Sequence, residues 1–316
     1  MSKHHTVPCG PSTVHWGYYD AAVAPVLTIQ SGDTVTMESV SGAPEHLPPS
    51  GSGFTVLPEH HAILAEIGRG PGPHILTGPV AVEGAEPGDA LKVEILDVSP
   101  RQDWGYNLTR PLGGALPDDF PDARIIHIAI DIARKTARMP WGLTVPLAPF
   151  FGCMGTAPPP AWGAQTSVVP RAFGGNIDNK ELVAGTTLYL PVFAPGGLFS
   201  VGDGHGTQGH GEVNITAIET ALRGTFRLTV EKGAHLKRPR AETPTHLLTM
   251  AFDPDLDQAM LQALRDMIDL IGKQTGLSRE DAYALCSIAA DLAVTQVVNQ
   301  NKGIHCALPR WALSAQ

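Results

Sequence analysis

Cysteine is scarce in this chain. Cys9, Cys153, Cys286 and Cys306 lie far apart among 316 residues with no CxxC pair, which removes a disulfide frame and a zinc knuckle. Long apolar runs are missing too. No stretch of 18 apolar residues occurs, and the first ten residues have no apolar core of the kind a secretory leader needs. The expectation is a cytoplasmic protein with no membrane partner. Charge is thin, at 17% of residues, and basic charge thinner: 22 Lys and Arg against 31 Asp and Glu leave a formal net charge of −9. That balance argues against nucleic acid and anionic membrane surfaces, and mildly favours neutral over anionic substrates. Several catalytic signatures are absent as well. There is no GxSxG elbow, no HExxH, no Walker loop and no GxGxxG after a strand.

What is present is glycine (34), proline (28) and a hydrophobic fraction of 43%, the composition of a compact chain whose elements are joined by long loops. Its length fits one large domain or two intimately joined ones. The first two thirds read as strands: 26–30, 34–38, 78–82, 90–96, 124–130, 186–190 and 225–230. Ser31-Gly32-Asp33 between the first two predicts a hairpin or tight strand pair. The last third changes period. Leu256, Met260, Leu264, Met267, Ile268 and Ile271 recur at helical spacing before Gly272, and Ser278 with Asp281 resembles a capping box opening a second helix to about Asn299. The expectation is a mainly β fold with α/β additions, a β-sandwich-like body carrying a C-terminal helical pair. As one unit over 1–316, it divides into a β-rich body, 1–235, and an α-rich part, 236–316, packed on it.

Seven glycines crowd residues 196–211, and among and just after them stand Asp203, His205, Gln208, His210 and Glu212. Glycine lets backbone fold tightly around something bound, while carboxylate, imidazole and amide groups supply metal ligands and proton carriers. The bland alternative is a turn between strands, since Phe199 and Val201 before it, and Val213, Ile215, Ala217 and Ile218 after it, read as strand. Elsewhere His74 and Glu83 flank one short strand; a lone glutamate at a strand end is usually solvated. Asn176 and Asp178, two apart, would share a face and suit metal or substrate, or only an Asx turn. Trp16 and Tyr18 would wall an apolar pocket or pack in the core. Cys153, in an apolar Phe-Phe-Gly-Cys-Met run, reads as buried structure before nucleophile.

Four of these segments together resemble the acetamidase/formamidase family. They are Val14-His-Trp-Gly-Tyr18; His74-x-Leu-Thr-Gly-Pro79 continuing to Val82-Glu-Gly-Ala-Glu-Pro-Gly-Asp89; Pro170-Arg-x-x-Gly-Gly-Asn-Ile-Asp-Asn179; and Phe199-Ser-Val-Gly-Asp-Gly-His-x-x-Gln-Gly-x-Gly-Glu212. The last is long and specific, and the likeness runs from about residue 10 to 310, closer to the shorter, acetamidase-like branch. It implies hydrolysis of short aliphatic amides, or of small lactams, to a carboxylate and nitrogen product, in a homo-oligomer (dimer or higher), with a divalent metal, zinc before calcium. His210 stands where relatives often carry an acid.

On that reading Asp203, His205 and His74 are the metal ligands. Glu212 or Glu83 moves the proton from water to the leaving nitrogen, aided by Asp203 and His205. Asn176, Asp178, Trp16 and Gln208 face the substrate. Two rivals stand beside it: a small-ligand or cation-binding protein without turnover, and covalent catalysis through Cys153.

Overall fold

The computed structural model describes residues 2–313. Among them the chain is mostly β, with three α-helices, two of which form a C-terminal pair. Nine strands make the largest sheet, in the order His4–Val7, Thr34–Glu38, Leu222–Glu231, Ala90–Pro100, Thr187–Pro191, Arg240–Glu242, His246–Asp253, Lys302–Pro309 and Asp291–Gln296. A second sheet of six orders Gly174–Asn176, Phe150–Gly155, Phe199–His205, Ile75–Val82 and Val14–Trp16, with Leu27–Ile29 lying parallel to Ile75–Val82.

These two sheets face each other. Alternation puts Val93 and Ile95, Leu188 and Leu190, Phe226 and Leu228 inward from the large sheet. They meet Val80, Val82, Phe151, Met154, Phe199 and Val201 of the other in one buried cluster. The Ile75–Val82 strand is buried throughout, and so is Phe199–His205, so both are central rather than solvated on one side. A four-stranded sheet, including Trp104–Thr109 and Arg124–Asp131, lies to one side and supplies a wall of the site.

The first C-terminal helix runs past Gly272, its expected end, and the second opens at its expected cap. Asp255 accepts from the backbone N–H groups of Asp257 and Gln258, and Gly276 closes the Leu256–Thr275 helix at a φ of 75°. Ser278 caps Arg279–Ala289 by accepting from the Asp281 N–H. Residues 236–313 are more than helical, however. Four strands between Arg240 and Pro309 extend the large sheet, joined to the body where Arg240–Glu242 pairs with Thr187–Pro191.

Three expectations need correction. The second helix stops at Ala289 rather than near Asn299, because Asp291–Gln296 pairs with Lys302–Pro309; Ile288 and Leu292 are exposed. Ser31-Gly32-Asp33 is no hairpin: Leu27–Ile29 joins the six-stranded sheet, while Thr34–Glu38 joins the nine-stranded one. The glycine segment is strand as far as His205, and 213–218 is irregular, with Val213 exposed. Gly202 and Gly204 are there for close approach. A Cβ on Gly202 would stand 2.8 Å from Leu76, and one on Gly204 would stand 2.7 Å from Leu222.

Candidate active site

Five ionisable groups from four separate stretches of chain meet at the end of the Phe199–His205 strand. His205 is fully buried, and its Nε2 lies 3.2 Å from Glu219 Oε1, 3.3 Å from Asp203 Oδ2, 3.9 Å from Glu212 Oε1 and 4.0 Å from Asp178 Oδ1. His74 approaches from the other side, its Nε2 3.8 Å from Asp203 Oδ2 and its Nδ1 2.9 Å from Ser167 Oγ. Backbone conformation is strained where the acids sit. Asp178, Asp203 and Glu212 have φ of 49°, 57° and 46°, the left-handed region that costs a non-glycine residue about 1 kcal/mol. Such strain persists where surrounding structure imposes it, and three of the nine non-glycine residues with positive φ among the described residues are these carboxylates.

Neighbours hold the ring and one acid in place. His205 Nδ1 is 2.9 Å from Gln208 Oε1, and the Gln208 amide in turn donates to the Asp178 carbonyl at 2.8 Å. That places a proton on Nδ1 and turns Nε2 toward the carboxylates. Asn299 donates to Asp178 Oδ2, and Asp178 Oδ1 is left without a partner. Three of the seven buried side-chain N or O atoms lacking a hydrogen-bond partner among the described residues belong here: Asp178 Oδ1, His205 Nε2 and Glu212 Oε2. Gln208→Leu is expected to free the imidazole and cut turnover by roughly 10–100-fold, the usual cost of losing a group that orients a ligand; unchanged kinetics would remove this role.

Charge in the cluster is out of balance. Four carboxylates share the space with two imidazoles, so protons or a cation must be retained there. Burial, then Asp178, pushes the Glu212 carboxyl well above the usual range; burial and Asp203 push Glu219 up to about 7. Burial opposes ionisation of Asp203 too, but His74 and His205 outweigh it and hold that carboxyl low. Burial also disfavours a charged His205, yet Glu219 and Asp203 overcome it and raise its pKa.

Gly152 shows where the groups converge. A Cβ built there would lie 2.5 Å from Asp203 Oδ2, 2.8 Å from His205 Cε1, and closer still to Asp178 Oδ1. The donors gathered there, the unpartnered Asp178 Oδ1 and His205 Nε2 among them, suit a divalent metal. Oxygen donors alone would suit calcium or magnesium, whereas imidazole among them favours zinc. Two triads, Asp178–His205–Glu212 and Asp203–His205–Glu219, each bring three ligand atoms within 4.8 Å of one another.

From this cluster a cavity of about 460 Å³ opens. Asn176, Asp178, Asp203, Glu212 and Glu219 line its buried end, with His74, Tyr106, Leu108, Ile125 and Ile215 along the walls. Its outer end carries the exposed Arg69, Arg110 and Arg124. Cys153 sits behind Asp203, its thiol donating to Asn176 Oδ1 at 3.2 Å; burial, then Asp203, pushes its pKa well above the ordinary value, the opposite of an activated nucleophile.

The family models settle the kinship. One for the Acetamidase/Formamidase family matches residues 18–166 and 161–310. The chain belongs to that family. It is 30% identical over 291 residues to a formamidase of Methylophilus methylotrophus, an alignment covering 68% of this chain and 70% of that enzyme. A solved acetamidase of Bacillus halodurans superposes with a TM-score of 0.83 at 32% identity, over 96% of this chain and 97% of its own. A γ-lactamase of Delftia acidovorans, 22% identical with a TM-score of 0.64, shares the fold, over 99% of this chain and 95% of its own.

Of the residues singled out by sequence, Asp203, His205, Glu212, Asp178, Asn176 and His74 are brought together. Glu83 is not. It is exposed at the far end of Ile75–Val82 from His74, roughly 25–30 Å away at about 3.3 Å per residue. Trp16 is buried in a core cluster with its Nε1 donating to the Pro73 carbonyl, so it packs rather than lines the cavity. Gln208 has both ends of its amide engaged by protein and acts on His205 instead of on a ligand. Sequence reasoning missed Glu219, Gly152 and Asn299. For Glu219 the available signal was a carboxylate between Ile218 and Ala221, in a stretch otherwise apolar enough to be buried.

Proposed function

We propose that this chain hydrolyses short aliphatic amides to a carboxylate and ammonia, with a divalent metal, zinc before calcium, held by Asp203, His205, Asp178 and Glu219. The observation carrying this is the convergence of unpartnered carboxylate and imidazole atoms at the buried end of a cavity, in a chain of this family. An amide is a poor electrophile with a poor leaving group, so hydrolysis needs an activated water, a stabilised oxyanion and a proton for the departing nitrogen. When bound, the ion would polarise the carbonyl and lower the pKa of water.

The chain's own residues would do the rest. Glu212, facing the cavity with Oε2 unpartnered, takes the proton from water and delivers it to the nitrogen. Gln208 keeps His205 in the tautomer whose Nε2 can serve as a ligand. Asn176, whose amide donates to the Val168 carbonyl at 3.1 Å, has a second N–H to offer the oxyanion. His74 lies beside Asp203, close enough to hold that carboxylate's charge or to join the ligand set. Burial of the whole cluster excludes bulk water and strengthens each of these interactions.

The cavity falls within the roughly 300–1,000 Å³ common for small-molecule sites, more than a two-carbon amide requires. Ammonia release from formamide, acetamide and propionamide, and ring opening of a small lactam, measured before and after prolonged chelation, test this reading. Turnover on at least one linear amide, lost on chelation and restored by zinc, is the expected result. No release from any amide with metal supplied would leave a non-catalytic binding protein; turnover surviving complete metal removal would leave direct general-base catalysis by Glu212.

A further inference from the structure

A second group of metal-ligand side chains lies outside the cavity. Glu181, His210 and His305 bring an oxygen and two nitrogens within 4.8 Å of one another. His210 Nε2 is 3.4 Å from Glu181 Oε1, and the two imidazole rings stand 5.1 Å apart between centroids. Two ligands bonded at 2.0–2.1 Å to one tetrahedral ion sit roughly 3.3–3.4 Å apart, so the His–Glu spacing already matches. Two histidines and one glutamate is a donor set that zinc takes with a fourth position open.

One member is prepared for the task. His305 is buried in the Lys302–Pro309 strand, and its Nδ1 lies 2.8 Å from Thr295 Oγ1 on the neighbouring strand. With Nδ1 so engaged, Nε2 is the nitrogen left to bind, and its orientation is set by a hydroxyl in the manner typical of metal-bound histidine. His210 and Glu181 are half-exposed, which gives an ion a path in from solvent. An ordinary surface pair of His210 and Glu181 would have no need of an oriented, buried third ligand.

We propose that Glu181, His210 and His305 form a second zinc site, separate from the acidic cluster, that clamps two segments of the active site to the large sheet. Glu181 lies three residues beyond Asp178, and His210 two before Glu212. Gly211 is already tied to the same edge, its N–H donating to the Thr295 carbonyl at 3.0 Å and its carbonyl accepting from Val297 N–H at 3.0 Å. An ion at this site would therefore stiffen the segments presenting Asp178 and Glu212 without touching substrate.

Zinc titration of the full chain by calorimetry tests it, comparing wild type with His210→Ala and Thr295→Val. His210 is exposed, so its loss should leave the fold unharmed. The expected result is one fewer equivalent of zinc in His210→Ala, and binding at that site weakened by roughly 10–100-fold in Thr295→Val. Wild type falling from two equivalents to one supports both sites; falling from one to none supports this site and counts against the acidic cluster. Equal stoichiometry in wild type and His210→Ala overturns the proposal and leaves Glu181–His210 a simple ion pair.

Discussion

Gly152→Ala is expected to abolish amide hydrolysis while leaving the fold intact. Gly152 lies within the Phe150–Gly155 strand and has no left-handed φ, so alanine suits its backbone. The added methyl's three nearest neighbours are all side-chain atoms, of Asp178, Asp203 and His205. The methyl would stand where those three groups converge and force at least two of them apart. A displacement of 1 Å among reacting groups can cost 10²-fold, and three displaced groups should cost at least about 10³-fold in kcat/KM, about 4 kcal/mol. Ammonia release and thermal unfolding, measured together, check this. Activity within tenfold of wild type, in a folded variant, would show that the chemistry lies elsewhere.

The second large effect is expected from Glu212→Gln, which should lower kcat by roughly 10²–10⁴-fold, the contribution typical of a positioned proton carrier. The same change should stabilise the metal-free protein. Glu212 Oε2 is buried without a partner, and the carboxyl shares its space with Asp178, Asp203 and Glu219. A neutral amide of equal shape needs no proton taken up to lie beside them and can donate to a neighbouring carboxylate. A gain on the order of 1 kcal/mol is reasonable, since an unsatisfied buried group costs about 1–3 kcal/mol. Denaturant unfolding in chelator reads the gain, and stopped assays read kcat. A variant that is both destabilised and active would reverse the assignment, making Glu212 structural. The pairing of lost turnover with gained stability marks a site where function, not folding, selects the residue.

Much of the fold was legible because strand periods are local. Ala90–Pro100, Arg124–Asp131 and Leu222–Glu231 alternate or run apolar in plain view, and the helix cap Ser278 announces itself by type. Pairing was not legible, because it is decided at a distance. Thr34–Glu38 finds Leu222–Glu231, almost two hundred residues on, rather than the strand just before it. The run Asp291–Gln296 was misread for another reason. Leu292, Ala293 and Val294 satisfy a helix as easily as a strand, and only the adjacent Lys302–Pro309 decides the matter.

The site divided along similar lines. Asp203, His205 and Glu212 stood out because glycines frame them, yet the reason for two of those glycines is sheet packing rather than a flexible loop. Glu219 escaped notice because one carboxylate in an apolar stretch has no neighbours in sequence to mark it. Gln208 was given to the substrate because an amide beside a catalytic histidine can do either job. Its actual partners, His205 and the Asp178 carbonyl, come from 3 and 30 residues away. Glu83 seemed linked to His74 by a short strand, but an extended strand separates its two ends more than a loop would.

Asn299, which holds Asp178 from beyond the Asp291–Gln296 strand, bears on how the protein is made. His74, Asp178, Asp203, His205, Glu212 and Glu219 emerge from the ribosome in that order, but the group that secures Asp178 comes some eighty residues after the last of them. The sandwich core drawn from residues before 230 can therefore close while Asp178 still lacks its amide partner. Repulsion among the acids is then borne by that core alone until the last strands supply Asn299.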